Sequence, residues 1–432
     1  MFSRSSLAFY IRAASAALKF LFVFYLAKKA DASLVGSYGL LSSTAAYFIV
    51  IAGLELNQVN GRVFHKKSKM GLQRMLGRQL RLHLLIYLVS APVLFLAIST
   101  FTSKFYFHIF LILAMEHLTV ELYRLNLLQM RPLKASVLLL CKNLWILFVI
   151  TGCEAGLIDL TDRNIVTVWL AVLISTTLLF GREHVGAIEH CFSGMNQRSM
   201  RIDLILLKRA LPFFVIAVAF SGAAFFDKLI IKFVVTEVEF ATYYFFYSLA
   251  SALSLFVSFT SGAVQLPKHI RIYSIEGERA YRAARGGLIS DYVRKCGLGI
   301  TLVGLGVLPV LFFMKNVDYL SNLHVFYTLL LAAAFIAASE PYRLDLYLKK
   351  EDRASMRVNI YYLIVTVIVV SCLAYGFGLT GAATAMLASS SLYFLIFRKC
   401  SRLVLDERSK IAAIWLFLIP FNKSLPTERD ID

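Results

Sequence analysis

Charge is scarce in this sequence, and acid scarcer than base. Only 16% of the 432 residues are charged, against roughly 25% in an average soluble domain. The 26 acidic residues leave a net charge of +19. Other absences narrow the field further. No cysteine pair is spaced C-x-x-C among Cys141, Cys153, Cys191, Cys296, Cys372 and Cys400. That gives neither a disulfide framework nor a metal signature. No Gly-x-x-x-x-Gly-Lys-Ser/Thr loop is present, which argues against direct use of ATP. A cleaved signal peptide is not expected, because Arg12 and Lys19 interrupt the first apolar run and no small-x-small site follows it.

What fills the chain instead is apolar sequence, 59% of all residues. It is gathered in runs of the length a bilayer requires, about 20 residues per helix. Twelve spans are expected, near 7–27, 34–54, 82–101, 105–123, 135–151, 164–181, 211–231, 240–261, 297–314, 323–340, 358–376 and 379–397. A later stretch, 411–421, is too short to cross and contains Pro420, so it is expected along the interface.

The basic residues crowd into every second gap and the two ends. Thirty-five of the 45 Lys and Arg fall there, including Arg62, Lys66, Lys67 and Lys69, and the stretches 182–209, 268–295 and 343–357. Six lie in the intervening gaps, and four inside apolar runs. Cytoplasmic loops of membrane proteins carry such an excess. Both termini are therefore expected in the cytoplasm. Because the basic residues are spread over membrane-flanking loops, lipid headgroups and topology account for them better than nucleic acid does. The loops 182–210 and 267–296 mix Lys and Arg with apolar residues. They read either as interfacial helices or as solvated connectors.

The long basic linker after the sixth span divides the chain into two halves of six. They are bounded here as 1–205 and 206–400, with a cytoplasmic tail at 401–432. A short echo supports the division. Asp31-Ala-Ser-Leu34-Val-Gly-Ser-Tyr38 joins spans 1 and 2, and Glu237-Val-Glu-Phe240-Ala-Thr-Tyr-Tyr244 joins spans 7 and 8. Each reads acid, an apolar residue three on, and Tyr seven on. Spans 1 and 7 enter from one side, so the repeat is parallel.

Leu211-Pro-Phe-Phe214, Phe226-Asp227-Lys228-Leu-Ile-Ile231 and the acidic turn into Tyr244 resemble the seventh-span region of bacterial polysaccharide flippases. Gly378-Leu-Thr-Gly381-Ala-Ala-Thr-Ala-Met and the first two spans, with Gly36-Ser-Tyr38-Gly39, are similar to the same family. This is the O-antigen branch of the multidrug/oligosaccharidyl-lipid/polysaccharide exporter superfamily, and the resemblance covers most of residues 1–400. It implies an all-α, MATE-like fold of two six-helix lobes around a V-shaped cavity, working by alternating access in the bacterial inner membrane. It also implies a lipid-linked (undecaprenyl pyrophosphate) oligosaccharide as cargo, membrane lipids as surroundings, and a polysaccharide polymerase and chain-length regulator as partners. No cofactor is implied beyond coupling to a proton or sodium gradient.

Charges inside a span are costly, about 2.5–3.5 kcal/mol on insertion scales, so each is a candidate site residue. Arg12 and Lys19 lie two helical turns apart on one face of span 1. Asp227 and Lys228 lie toward the outer end of span 7. With spans 1 and 7 facing each other, these groups would line a cavity suited to a pyrophosphate or acidic sugar. The plainer alternatives are snorkelling for Lys228, a buried carboxylate pair for Lys19, and helix packing or inward snorkelling for Arg12. Span 4 carries Glu116, His117, Glu121 and Arg124, the last three on one stripe. With Lys142 on span 5, they form either a proton relay or a self-satisfied structural chain. Glu55, Gln58 and Glu340 end spans and are expected at the interface, with lining the cavity mouth as the alternative. The cluster Tyr243 to Tyr247 reads as packing or interface belt, with sugar stacking as the functional alternative.

Two other functions remain open. A membrane glycosyltransferase or O-antigen polymerase needs a sizeable external loop, and the longest such gap is Gly152 to Arg163. A cation-coupled multidrug exporter of the same superfamily would favour buried carboxylates, where span 1 carries Arg and Lys.

Overall fold

The computed structural model describes residues 4–63, 69–99, 106–192, 197–314 and 317–405. Lys66, Lys67, the 411–421 stretch and the tail beyond 405 lie outside the described residues. The described chain is helical and contains no strand.

Each of the twelve expected spans falls on a helix. In the N-terminal half they are α1 (Arg4–Lys29), α2 (Ala32–Gly53), α4 (Lys69–Ser99), α5 (Tyr106–Leu128), α6 with α7 (Pro132–Asn143 and Trp145–Glu154) and α8 (Asp162–Gly181). The short α3 (Leu56–Val63) and α9 (Val185–Phe192) stand between them. The C-terminal half comprises α10 (Gln197–Val234), α11 (Glu237–Val257), α12 (Ala263–Ile275), α13 (Glu278–Met314), α14 (Val317–Ser321), α15 (Leu323–Leu348) and α16 (Asp352–Leu405). Nine of these helical segments are long and apolar enough to cross a membrane. Leu144 keeps helical dihedrals, so α6 and α7 make one span. α16 makes two, because Gly378 breaks it at φ 57°. There the chain doubles back so tightly that a Cβ on Gly381 would stand 1.9 Å from the Leu373 carbonyl oxygen.

Local chemistry sets the helix ends. The Asp31 carboxylate accepts the Leu34 N–H at 2.8 Å and caps α2. Thr236 and Glu239 form a reciprocal capping box at α11. The cap positions pair Asp31 with Thr236, one residue off the echo seen in the sequence. Leu54 and Glu55, both at φ 49°, stop α2 and turn the chain into α3.

Contacts between loops reproduce the alternation of the charge pattern. At the Lys/Arg-poor end, Lys29 pairs with Glu154 at 3.1 Å and His324 bonds Thr380 at 2.9 Å. At the basic end, Lys134 pairs with Glu183 at 2.5 Å and Lys349 with Glu278. The described residues of the basic stretches 182–210 and 267–296 are mainly helical, as α9 with the start of α10, and α12 with the start of α13. α10 is continuous through 205, and its first turns still belong to the N-terminal half. Asp203 pairs with Arg81 on α4, and Ala210 packs with Leu56 and Leu82.

The halves meet through α2 against α10 and α11, and through α1 against α11. Glycine makes the closest approach possible, as at other membrane helix crossings. A Cβ on Gly36 would lie 3.0 Å from the Phe240 ring, and one on Gly39 would lie 2.5 Å from the Tyr244 ring.

Candidate functional site

On α1 the lipid-facing stripe is Leu7, Tyr10 and Leu21, all exposed. The opposite stripe runs Ala8, Arg12, Ser15, Lys19, Phe22, Val23 and Leu26. Ala8, Ser15, Phe22, Val23 and Leu26 are buried. Lys19 stands in the middle of that inward stripe and is nevertheless exposed. Its accessible surface therefore belongs to space inside the bundle. Glu116 and Lys142 lie within electrostatic reach of its ammonium. It makes no hydrogen bond or ion pair among the described residues. Arg12, two turns toward the basic end, donates to the carbonyl of Ala8 in its own helix at 3.2 Å.

The carboxylate partner envisaged for Lys19 belongs to another lysine. Glu116 on α5 pairs with Lys142 on α6, both almost fully buried. The indole of Trp169 on α8 donates to the second Glu116 oxygen at 3.0 Å. Trp169 stacks on Trp145 at 4.8 Å, and Phe22 meets Trp145 edge-on at 4.8 Å. An aromatic wall thus closes this charge pair off.

His117, Glu121 and Arg124 occupy a different face of α5, so the five residues grouped in the sequence form two clusters. Arg124 donates to Glu121 at 2.8 Å and to Glu55 at 3.5 Å. Gln79 on α4 donates to Glu121 at 2.6 Å and accepts from Asn60 at 2.8 Å. Tyr87 bonds His117 Nδ1 at 2.5 Å, and the rings of His83 and His117 meet edge-on at 4.5 Å. Gly53 sits over this network, where a Cβ would stand 3.4 Å from both His117 Nε2 and an Arg124 nitrogen. Beside it lies a cavity of about 220 Å³ lined by His83, Gln79, Glu121 and Arg124 together with six leucines. Glu55, expected at the interface, is buried here instead.

In the C-terminal half Asp227 and Lys228 are buried and paired with each other at 3.2 Å. Tyr243 donates to Asp227 at 3.0 Å. The Lys228 ammonium also donates to the Ala224 carbonyl at 2.5 Å and lies 3.3 Å from the centre of the Tyr247 ring. It is turned into its own half between α10 and α11. It neither snorkels to a surface nor joins Lys19. Tyr243, Tyr244, Phe245 and Phe246 are packing residues, all buried.

Sequence reasoning missed the buried Asp345 on α15. It accepts from Tyr281 at 2.5 Å, Ser401 at 2.5 Å and both donors of the Arg285 fork at 2.8–3.1 Å. The available signal was a lone acid one turn before the basic run Lys349-Lys350, which reads as an ordinary loop flank.

No family model matches the sequence, and no curated relative matches it. Solved structures do share the fold. An inward-facing multidrug resistance MATE family transporter of the MOP superfamily superposes with a TM-score of 0.70 at 12% identity, covering 92% of this chain and 98% of that one. The lipid II flippase MurJ, in an inward closed conformation, gives 0.68 at 14% identity, covering 96% and 93%. An outward-facing MATE transporter gives 0.61 at 12% identity, covering 93% and 94%. The fold is MATE-like, two packed six-span halves in one chain.

Proposed function

We propose that this protein is a flippase of the bacterial inner membrane, moving a lipid-linked oligosaccharide with an anionic headgroup from the cytoplasmic to the outer leaflet. The observation that carries this reading is Lys19. A cation held inside a membrane bundle without a carboxylate of its own is costly, and it favours whatever anion enters that space. A pyrophosphate or acidic sugar supplies such an anion, and charge-assisted hydrogen bonds are about twice as strong as neutral ones. Arg12 lies two turns nearer the basic, cytoplasmic end, on the path an entering headgroup would take.

The seal at Gly36, Gly39, Phe240 and Tyr244 belongs to the Lys/Arg-poor end, which the charge pattern assigns to the outside. In this reading the two halves hinge apart there to release cargo, while the prenyl chain stays in lipid. The connector 155–161, between α7 and α8, is too short to house a catalytic domain. That favours transport over polymerisation. The test is deletion of the chain in its own host. The expected result is loss of surface polysaccharide, with the intact lipid-linked unit accumulating in the inner leaflet. Single units appearing at the cell surface would instead identify a polymerase.

A second reading, export of organic cations, draws on the Glu55, Glu121 and Arg124 cluster, where two carboxylates face one guanidinium. It is separated by the same deletion strain. Heightened drug sensitivity with unchanged surface polysaccharide would favour it.

A further inference from the structure

A cavity of about 450 Å³ lies inside the C-terminal half, in the range of small-molecule sites, roughly 300–1,000 Å³. One wall is a single face of α11, where Tyr247, Ser251, Ser254 and Ser258 recur at helical spacing. Opposite stand Ala332, Ala333 and Ala337 of α15, whose small side chains leave the space open. α11 ends in a π-helical turn, Ser258–Gly262, and both of those residues line the cavity. Such turns are rare and occur frequently at functional sites. The hydroxyls of Ser254 and Ser258 make no hydrogen bond among the described residues. Phe220, Tyr292 and Tyr362 complete the aromatic lining, and Glu340 reaches it from α15 rather than lying at the interface.

Charge decides what this cavity suits. Two of its rings already carry a cation. The Lys228 ammonium is 3.3 Å from the centre of Tyr247, and the Arg343 guanidinium is 5.1 Å from that of Phe220. Each cation has its own acid, Asp227 for Lys228 and Glu340 for Arg343. The surroundings are therefore balanced. An organic cation would meet ring faces polarised by two fixed cations, and an anion would meet Glu340. A neutral polyhydroxylated ring can lay its C–H face on the aromatic side chains and bond the serine hydroxyls, with no charge left unmatched.

We propose that this cavity is a sugar subsite, taking a neutral sugar residue of the cargo while Lys19 and Arg12 hold its anionic part. The proposal rests on the flippase reading and sharpens it, by assigning the carbohydrate to the C-terminal half and the charge to the N-terminal half.

Two experiments test it. In the host, Ser254→Trp and Ala333→Phe fill the cavity, and Leu331→Trp on the exposed face of α15 is the control. The expected result is loss of surface polysaccharide for the first two at normal membrane levels, and normal export for the control. If deleting the chain abolishes export but both filling variants export normally, the subsite is wrong and the flippase reading stands. If deletion has no effect on polysaccharide, the flippase reading itself fails.

Should the filling variants be lost from the membrane, the second experiment decides. The full chain carrying Ser254→Cys is placed in nanodiscs, and its maleimide labelling is measured above the wild-type background. Octyl β-D-glucoside at about ten times its dissociation constant is expected to slow labelling about tenfold by mass action. Octylphosphocholine and tetraphenylphosphonium are expected to leave it unchanged. Protection by tetraphenylphosphonium, equal protection by octylphosphocholine, or no protection by the glucoside would each overturn the assignment.

Discussion

The rings of Tyr38 and Tyr244 meet edge to face across the two halves, with centroids 6.1 Å apart and planes at 82°. Ser42 and Tyr244 share a hydrogen bond of 2.8 Å one turn further along α2. Both tyrosines are buried, and Gly36 and Gly39 carry no side chain that would hold α11 away. One short crossing thus combines aromatic contact, a hydroxyl pair and close backbone approach. In the flippase reading this crossing is the seal that opens to release cargo.

If this crossing must open during the cycle, locking it stops transport. A Cβ on Gly39 would fall beside the Tyr244 ring, so cysteines at the two positions approach the roughly 3.8 Å Cβ separation that a disulfide needs. The double variant Gly39→Cys/Tyr244→Cys is expected to cross-link under mild oxidant and lose export, and to recover export with reductant. Efficient cross-linking with undiminished export would show that the seal does not move.

The Glu116–Lys142 pair is expected to be structural. Lys142→Met strands a buried carboxylate, a change that typically costs about 3–5 kcal/mol. Lys19 and the Trp169 indole remain to offset part of that, so the loss should fall toward the lower end. Replacing both partners, Glu116→Gln with Lys142→Met, should recover most of the loss. Thermal unfolding of the purified variants checks this. A double variant as unstable as the single would mean that the pair does more than satisfy itself.

The twelve spans and their alternation were legible because bilayer length and loop charge are one-dimensional signals. The contact between Tyr38 and Tyr244 was half legible. The sequence echo picks out both residues, but spans 1 and 7 were expected to face each other, whereas α2 and α11 make the crossing. Partner choice among the buried charges was legible in part: Lys142 was placed with the acids of span 4, and Glu121 with Arg124, but the split into two clusters was not. Glu116 and His117 are neighbours in sequence yet project about 100° apart around α5, so one joins Lys142 and the other joins Tyr87. Lys228 pairs with its neighbour Asp227 on α10, but its place over the Tyr247 ring is a contact between α10 and α11 that no spacing along one helix encodes. Asp345, one helical turn and a residue beyond Glu340, was hidden in a loop-like basic context although it is buried inside the C-terminal half.

Asp345 offers a test of the C-terminal half alone. Its carboxylate gathers donors from α13 and α16 onto α15 and has no exposed surface. Asp345→Asn keeps the shape but removes the charge that matches Arg285. A loss of about 3–5 kcal/mol is expected, as for other buried pairs broken on one side. Adding Arg285→Met to it should restore part of the stability. Wild-type unfolding behaviour in Asp345→Asn would show that the Tyr281 and Ser401 hydroxyls carry the site without the charge.

Lys19 and Arg12 should behave in the opposite way to these pairs, and the contrast is the sharpest test of the proposed cavity. An exposed ammonium that makes no ion pair contributes little to stability, so Lys19→Ala should leave membrane levels and thermal stability unchanged. Transport should suffer instead. A hydrogen bond to a charged group is worth about 1.5–3 kcal/mol, which corresponds to a fall of about ten- to a hundredfold in affinity for an anionic cargo. Lys19→Arg, which keeps the charge and its donors, should retain most export. Arg12→Ala should lose export as Lys19→Ala does, since it lies on the same inward stripe. The measurement is surface polysaccharide per molecule of membrane-inserted protein, with rising salt as a second axis in a reconstituted assay. Normal export in both alanine variants would remove the cation from the mechanism, and stability lost in step with export would reduce it to a packing role.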